Sequence, residues 1–115
     1  MKLLFIGDIV GRPGRELVTR AVKLQNRAAR VGFDWPSTDE VIAKIVEEAG
    51  ELNEARQHLG EAEVFEEFGD LLFVVANLAR HLKIDPEAAL RAANGKFIRR
   101  FRSIEAALAQ RGKRP

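Results

Sequence analysis

The chain has 115 residues, no cysteine and a formal net charge of +2, with 19 basic and 17 acidic side chains. This length suits one small domain, and the missing cysteines exclude disulfides, thiolate metal sites and cysteine nucleophiles. No polybasic block exists, so we expect no nucleic acid polymer as a partner. The longest apolar run near the start is too short for a signal peptide or a membrane span, so we expect a cytoplasmic protein.

The first fourteen residues differ from the rest of the chain. Residues 1–10 predict one short strand, because they are mostly apolar and are followed by the break Gly11-Arg12-Pro13-Gly14. No second strand signal follows, so the segment has to pair with another copy, lie over the helices or stay irregular. We therefore predict an extended segment at 1–14, a fused or engineered addition to a helical domain at 15–115.

From Arg15 onward the pattern predicts four helices. Ser37 or Thr38 caps the second helix, which stops at Gly60. Asp85 caps the fourth, with a proline at its first helical position. The predicted ranges are about 15–30, 38–59, 62–82 and 86–110.

The second helix carries an acidic stripe beside an apolar arc. The arc, which is predicted to face a core, consists of Ile42, Ile45, Ala49 and Leu52. Lys44, Glu48 and Glu51 project together next to it, because residues three or four apart share one side of a helix. Two carboxylates therefore stand at the edge of buried surface, with Glu47 further towards solvent.

The third helix repeats this arrangement with Glu67 and Asp70. It is apolar nearly all round, so we predict that it is buried on most sides. Acids placed there carry a desolvation cost unless a cation compensates them. If helices two and three form a hairpin, both acid pairs face each other, and four oxygen donors suit Mg²⁺ or Mn²⁺.

Three further side chains leave alternatives open. Asn77 lies on the stripe of Asp70 and either satisfies backbone groups or contacts a sugar or base. His81, on the same stripe, is interpreted as a structural histidine. Trp35 either packs at an interface or forms the wall of a pocket.

The fourth helix supplies positive charge. Lys96 and Arg100 are four residues apart and project together. They are either members of surface ion pairs or, beside an acid cluster, the cations that neutralise the oxygens of a polyphosphate.

These motifs resemble the MazG-type nucleotide pyrophosphohydrolase family. Its EExxE…ExxD signature is matched by Glu47-Glu48-x-x-Glu51 and Glu67-x-x-Asp70, and the flanks at 24–35, 69–80 and 93–101 are similar as well. The resemblance implies an all-α, four-helix bundle that forms an intertwined homo-oligomer, a dimer or a tetramer. It also implies cleavage between the α and β phosphates of a nucleoside triphosphate, releasing monophosphate and pyrophosphate.

The resemblance assigns roles to individual residues. The implied ligands of Mg²⁺, with Mn²⁺ as a substitute, are Glu48, Glu51, Glu67 and Asp70. Glu47 is implied to act with Glu48 in catalysis, by supporting the ligands or activating the water. The implied substrate-binding residues are Lys44, Asn94, Lys96 and Arg100.

Two departures from the family pattern keep other functions open. Family members carry further residues after the fourth helix, including an aromatic that closes the nucleotide pocket, whereas this sequence ends at Pro115. The alternative is therefore a catalytically impaired helical oligomerisation module that retains the metal site. Residues 5–15 are similar to the opening strand of a bacterial metallophosphoesterase family, but we assign Asp8 no catalytic role.

Overall fold

The computed structural model describes the backbone of residues 2–112 and the side chains of residues 16–112. The described chain contains no strand, and its four helices are α1 (Lys2–Arg30), α2 (Thr38–His58), α3 (Glu61–Leu82) and α4 (Pro86–Gln110). The predicted all-α, four-helix fold is confirmed. The chain divides into two compact units, Met1–Ile84 with α1 to α3 and Asp85–Pro115 with α4.

The prediction of an extended N-terminal segment is wrong for residues 2–14. Helix α1 begins at Lys2 and continues to Arg30. A helix satisfies its backbone N–H and C=O groups within the segment, whereas a lone strand leaves them unpaired. That the segment is a fusion stays a prediction, and Asp8 lies outside the residues whose side chains are described.

The end of α1 turns the chain back towards α3. The amide of Phe33 donates to the carbonyl of Ala28 at 3.0 Å, and the amide of Gly32 donates to Ala29 at 3.0 Å. This pair of bonds is a Schellman motif, which requires a positive φ at the residue in the Gly32 position. Gly32 has φ +87°, a backbone conformation that would be strained in a residue with a side chain. The turn is what presents residues 33–35 to the third helix.

Helix α2 begins where the sequence predicted. Its N-cap is Ser37, whose Oγ accepts a hydrogen bond from the amide of Glu40 at 3.3 Å. Only Leu59 and Gly60 separate α2 from α3. The two helices pack against each other as a hairpin, and α1 also packs on α3.

The buried face of α2 is rotated from the predicted one. The buried residues of α2 are Val41, Glu48 and Ala55, each seven residues from the next. Ile42 and Ala49, which were predicted to face the core, are exposed. Ile45 and Leu52 of the same arc are half-buried, so the hairpin covers the predicted face only in part, and Glu48 lies in the buried line instead of beside it.

Helix α3 is less buried than its composition predicted. Its buried residues are Val74, Ala76 and Asn77, while Phe65 is 83% and Leu72 is 56% exposed. Within its own unit, α3 packs against only α1 and α2, so the apolar side chains on its remaining surface have no cover there.

Helix α4, in the second unit, has the predicted start. Asp85 Oδ1 accepts hydrogen bonds from the amides of Glu87 and Ala88, and Pro86 is the first helical residue. Phe97 and Phe101 stack with 6.2 Å between ring centroids. None of the described helices has the length and apolar character needed to cross a membrane.

Candidate active site

Three of the predicted acids meet where α2 faces α3. Glu48, Glu67 and Asp70 each offer a carboxylate oxygen, and these atoms all lie within 4.8 Å of one another. Glu48 comes from the buried line of α2, while Glu67 and Asp70 are one turn apart on α3. We call these three residues the acid cluster. It converges because both helices present acids at helical spacing towards the same side of the hairpin.

Two oxygens of the acid cluster are buried and accept no hydrogen bond from the described residues: Glu48 Oε2 and Glu67 Oε2. Buried carboxylates normally have partners, because losing water without replacement is costly. Exposed acidic groups are common without a metal, but buried oxygens of this kind are not. Hard anionic oxygens suit Mg²⁺, so the residues present fit the ion that the sequence implied.

Electrostatics show the same conflict at Glu67. Burial raises the pKa of its carboxyl group, and so do the charge of Glu51, a hydrogen bond with Glu51 and the charges of Asp70 and Glu48. Each effect opposes ionisation of Glu67, which a divalent cation would favour. Glu51 is therefore a close neighbour of Glu67, although it is exposed and is not one of the three converging acids.

Lys44 holds one side of the acid cluster. Its Nζ lies 3.2 Å from Glu48 Oε1 and 3.3 Å from Glu47 Oε1. Hydrogen bonds to Glu48 and then to Glu47 raise the pKa of the Lys44 ammonium group. Because Oε1 of Glu48 is engaged by Lys44, the orientation of its carboxylate is constrained and Oε2 is the oxygen left without a partner.

The remaining predicted residues are exposed. Glu47 lies on α2 beside Lys44, and its role in activating water stays a prediction. Asn94, Lys96 and Arg100 lie on α4, in the second unit. Their role in binding phosphate also stays a prediction.

A second feature of the first unit is a cavity of about 440 Å³ between α1, the loop that follows it and α3. Its lining is mainly apolar and aromatic, with a few polar groups. The lining residues are Leu24, Gln25, Ala28, Gly32, Phe33, Asp34, Trp35, Phe73, Asn77 and Arg80. A concave apolar cavity of this size with few polar groups is typical of a small-molecule site.

Gln25 is the buried polar residue that α1 contributes to the cavity lining. It is 7% exposed, and its Nε2 donates to the carbonyl oxygen of Phe73 at 2.9 Å. Its Oε1 is buried and accepts no hydrogen bond from the described residues. The side chain thus ties α1 to α3 through one end and leaves an acceptor at the other.

The opposite wall is held by a charged network. Arg80 and His81 both contact Asp34 Oδ1, with the His81 Nε2 at 2.9 Å. Arg80 Nε also donates to Asn77 Oδ1 at 2.9 Å. Burial opposes ionisation of Asp34, but its hydrogen bonds with His81, Arg80 and the Trp35 amide outweigh burial and lower its pKa.

The acid cluster and the cavity share one side of α3. Asp70 and Asn77 are seven residues apart, which is close to two helical turns and about 10 Å along the axis. They therefore project in nearly the same direction. The cavity wall follows the acids along a single helix face.

Sequence reasoning did not single out Gln25, Asp34 and Arg80, which line the cavity. The contacts of Gln25 with Phe73 and of Asp34 with Arg80 join residues 48 and 46 positions apart, and no local spacing signals such pairs. Trp35 is a wall of the cavity and 41% exposed. The structural interpretation of His81 fits its contact with Asp34, and the side-chain oxygen of buried Asn77 accepts a hydrogen bond from Arg80.

The comparison with protein families matches the central part of the chain. Residues 37–104 match the family described as the MazG nucleotide pyrophosphohydrolase domain. That span contains α2, α3 and all of the predicted site residues.

Similar proteins carry related names. The chain is 52% identical over 95 residues to a "Nucleoside triphosphate pyrophosphohydrolase" of Escherichia coli (strain K12), covering 81% of this chain and 36% of that protein. It is 46% identical over 100 residues to the "Nucleoside triphosphate pyrophosphohydrolase/pyrophosphatase MazG" of Thermotoga maritima, covering 87% of this chain and 37% of that protein. The chain thus spans little more than a third of the length of these curated relatives.

Proposed function

The chain belongs to the MazG nucleotide pyrophosphohydrolase family, and from this premise we propose that it hydrolyses nucleoside triphosphates between the α and β phosphates. The products are nucleoside monophosphate and pyrophosphate, and the reaction depends on Mg²⁺. The observation that carries the proposal is the meeting of Glu48, Glu67 and Asp70 within 4.8 Å. The absence of cysteine fits a cytoplasmic location for this reaction.

The residues that would hold the ion are the acid cluster and Glu51. The two buried oxygens without hydrogen bonds, on Glu48 and Glu67, support this assignment. Burial and then the charges of neighbouring acids raise the pKa of Glu67, and a divalent cation among these groups would oppose that shift. Mn²⁺ has the same ligand preference and is expected to substitute.

The other residues act on orientation and proton transfer. When bound, the ion supplies electrostatic stabilisation of the charge that develops on the phosphate oxygens. Lys44 keeps Glu48 and Glu47 at 3.2 and 3.3 Å from its ammonium group, so both carboxylates are oriented before substrate arrives. Glu47, exposed beside the cluster, accepts the proton of the attacking water.

Substrate binding uses two kinds of group. Lys96 and Arg100, four residues apart on α4 with Asn94 nearby in sequence, neutralise the triphosphate. The apolar cavity receives the nucleoside, because its aromatic walls suit a flat base and it lies on the same side of α3 as the acids.

We also propose self-association. Large apolar side chains on the hairpin are exposed in the single chain, including Phe65 at 83% and Val46 at 68%. Exposed apolar surface of this kind commonly marks an interface between proteins. Sedimentation of the 115-residue chain at several concentrations is expected to give a dimer or a tetramer; a strictly monomeric species would contradict this.

The function is tested by product identification. Nucleoside triphosphates are incubated with the chain, with and without Mg²⁺, and monophosphate and pyrophosphate are quantified. We expect equal amounts of both products only with the ion. Glu48→Gln and Asp70→Asn are expected to lower the rate by about a hundredfold or more, since the metal supplies several kcal/mol.

The matched control is Glu54→Gln, a glutamate on the exposed side of α2 that pairs with His58 at 3.8 Å. It should retain the wild-type rate. Mg²⁺-dependent thermal stabilisation without any product would favour the impaired oligomerisation module instead. Equal rates in all four proteins would reject the assigned residues.

A further inference from the structure

Among the described residues, the unpaired end of Gln25 is a buried polar conflict separate from the acid cluster, and it concerns a neutral group. Gln25 is 7% exposed and lines the cavity from α1. Its Oε1 is buried and accepts no hydrogen bond from the described residues. A buried acceptor without a donor costs free energy, so a ligand that donates to it gains correspondingly.

The orientation of the Gln25 amide follows from chemistry. A carbonyl oxygen accepts hydrogen bonds only, so the group 2.9 Å from the oxygen of Phe73 has to be the NH₂ and not the oxygen of the amide. The reversed orientation would place two acceptors against each other. The free end of Gln25 is therefore an acceptor, and its preferred partner is an N–H or O–H donor.

The surroundings decide which donor is expected. Phe33, Trp35 and Phe73 supply aromatic surface to the same cavity, which suits the faces of a flat heterocycle. The walls also include Leu24 and Ala28, so an isolated sugar would place most of its hydroxyl groups against apolar atoms. These features favour a nucleobase over a ribose next to Gln25.

We propose that Gln25 is a specificity-determining residue whose Oε1 accepts a hydrogen bond from an N–H group on the edge of the bound nucleobase. The proposal rests on the proposed function only in taking the ligand to be a nucleoside. It excludes bases that present no N–H donor, because they would leave the buried oxygen of Gln25 unpaired.

The test measures binding in EDTA, where no hydrolysis occurs. Trp35 is the single tryptophan of the chain and lines the cavity, so its fluorescence reports occupancy. The probes are adenosine and purine riboside, which lacks the exocyclic amino group. We expect adenosine to bind about tenfold or more tightly, the range for leaving a buried acceptor unpaired. Equal affinities would overturn the proposal.

Two deoxy analogues separate base from sugar as the donor. 2′-Deoxyadenosine and 3′-deoxyadenosine keep the amino group and each lack one hydroxyl group. Both are expected to bind within about threefold of adenosine, since the lost hydroxyl is not the partner of Gln25. A loss of about tenfold with either one, together with equal binding of purine riboside, would assign the donor to the ribose and refute the base contact.

A variant then locates the effect. Gln25→Met keeps a similar volume but removes the acceptor, and it should reduce the discrimination between adenosine and purine riboside to near unity. A merely structural role would weaken both probes equally and leave their ratio unchanged, which would count against the proposal. Gln57→Met is the matched control, because Gln57 is exposed on α2 and outside the cavity lining; it should keep the wild-type ratio.

The outcome is separable from that of the proposed function. Tighter binding of adenosine than of purine riboside in EDTA, together with no pyrophosphate release from triphosphates in Mg²⁺, would uphold the Gln25 contact and reject the proposed hydrolysis. Pyrophosphate release with equal binding of both probes would do the reverse. The wild-type comparison requires no substitution, so it stands even where Gln25→Met fails to fold.

Discussion

The acid cluster and the network around Asp34 both gather charged side chains against α3, but with opposite electrostatic character. In the cluster, three carboxylates lie within 4.8 Å of one another, and the pKa of Glu67 is raised. In the network, one carboxylate is contacted by Arg80 and His81, and the pKa of Asp34 is lowered. The first arrangement opposes the ionised state of Glu67, and the second favours the ionised state of Asp34.

Under the proposed function, the difference separates residues that hold a metal ion from residues that join elements of the fold. Like charges held together without compensation destabilise a protein and are retained where a cation or a reaction requires them. Complementary charges with hydrogen bonds stabilise the elements that they join, here the loop after α1 and the end of α3. Substitutions in the two regions should therefore change stability in opposite directions.

The largest expected effect comes from Glu67→Gln. We expect pyrophosphate release to fall by about a hundredfold or more, because a ligand is lost. At neutral pH in EDTA the melting temperature should nevertheless rise, because a repelled charge is removed. Calorimetry and the product assay measure the two outcomes, with the exposed neighbour Glu66→Gln as control. A lower melting temperature in EDTA would show that the cluster stabilises the fold.

Arg80→Met should have the opposite sign. It removes the donors to Asp34 and Asn77 while it keeps an apolar stem of similar length, and we expect a loss of about 2 kcal/mol in the free energy of unfolding. Denaturant titration measures the loss. The control is Arg56→Met, whose guanidinium makes an exposed contact with Asn53 at 2.8 Å and should matter little. Similar losses in the free energy of unfolding in both variants would show that the Asp34 network stabilises the fold no more than an exposed surface contact does.

The two regions should respond oppositely to pH in EDTA. The folded pKa of Glu67 lies above its ordinary value of 4.5, so its ionisation removes stability as pH rises from there through the folded pKa. The folded pKa of Asp34 lies below 3.8, so its contribution is complete above 3.8 and is lost as pH falls through the folded pKa.

We therefore expect the free energy of unfolding, measured from pH 3 to 7, to change less above pH 4.5 in Glu67→Gln than in wild type. The difference should be about the contribution of one titrating group. Asp34→Asn should instead flatten the acid limb below 3.8. Identical profiles for both variants and wild type would remove the electrostatic contrast between the regions.

The smallest effect is expected for Ser37→Ala. Ser37 lies between the loop that lines the cavity and α2. Its Oγ accepts a 3.3 Å hydrogen bond that caps α2, the helix that carries Glu48. Its loss should cost about 0.5–1 kcal/mol in the free energy of unfolding. Ser103→Ala, an exposed serine inside α4, is the matched control and should be neutral or slightly stabilising. Equal effects would show that the cap contributes nothing.

The sequence predicted the features that depend on local spacing. The caps Ser37 and Asp85 and the pairing of Glu67 with Asp70 follow from residues within one or two helical turns. It did not predict which residues of α2 are buried, because Ile42 is as apolar as the buried Val41 but is 46% exposed. The contact of Gln25 with Phe73 likewise depends on how α1 docks, which no periodicity encodes.

Phe73 has a further consequence through its place on α3. Its carbonyl group fixes Gln25, and it follows Asp70 by only three residues. Adding or deleting a single residue between Asp70 and Phe73 would rotate the carboxylate of Asp70 by about 100° around the helix axis relative to Phe73. The helix thus acts as a rigid spacer, and its residue count sets how far the acid cluster lies from the side-chain amide of Gln25.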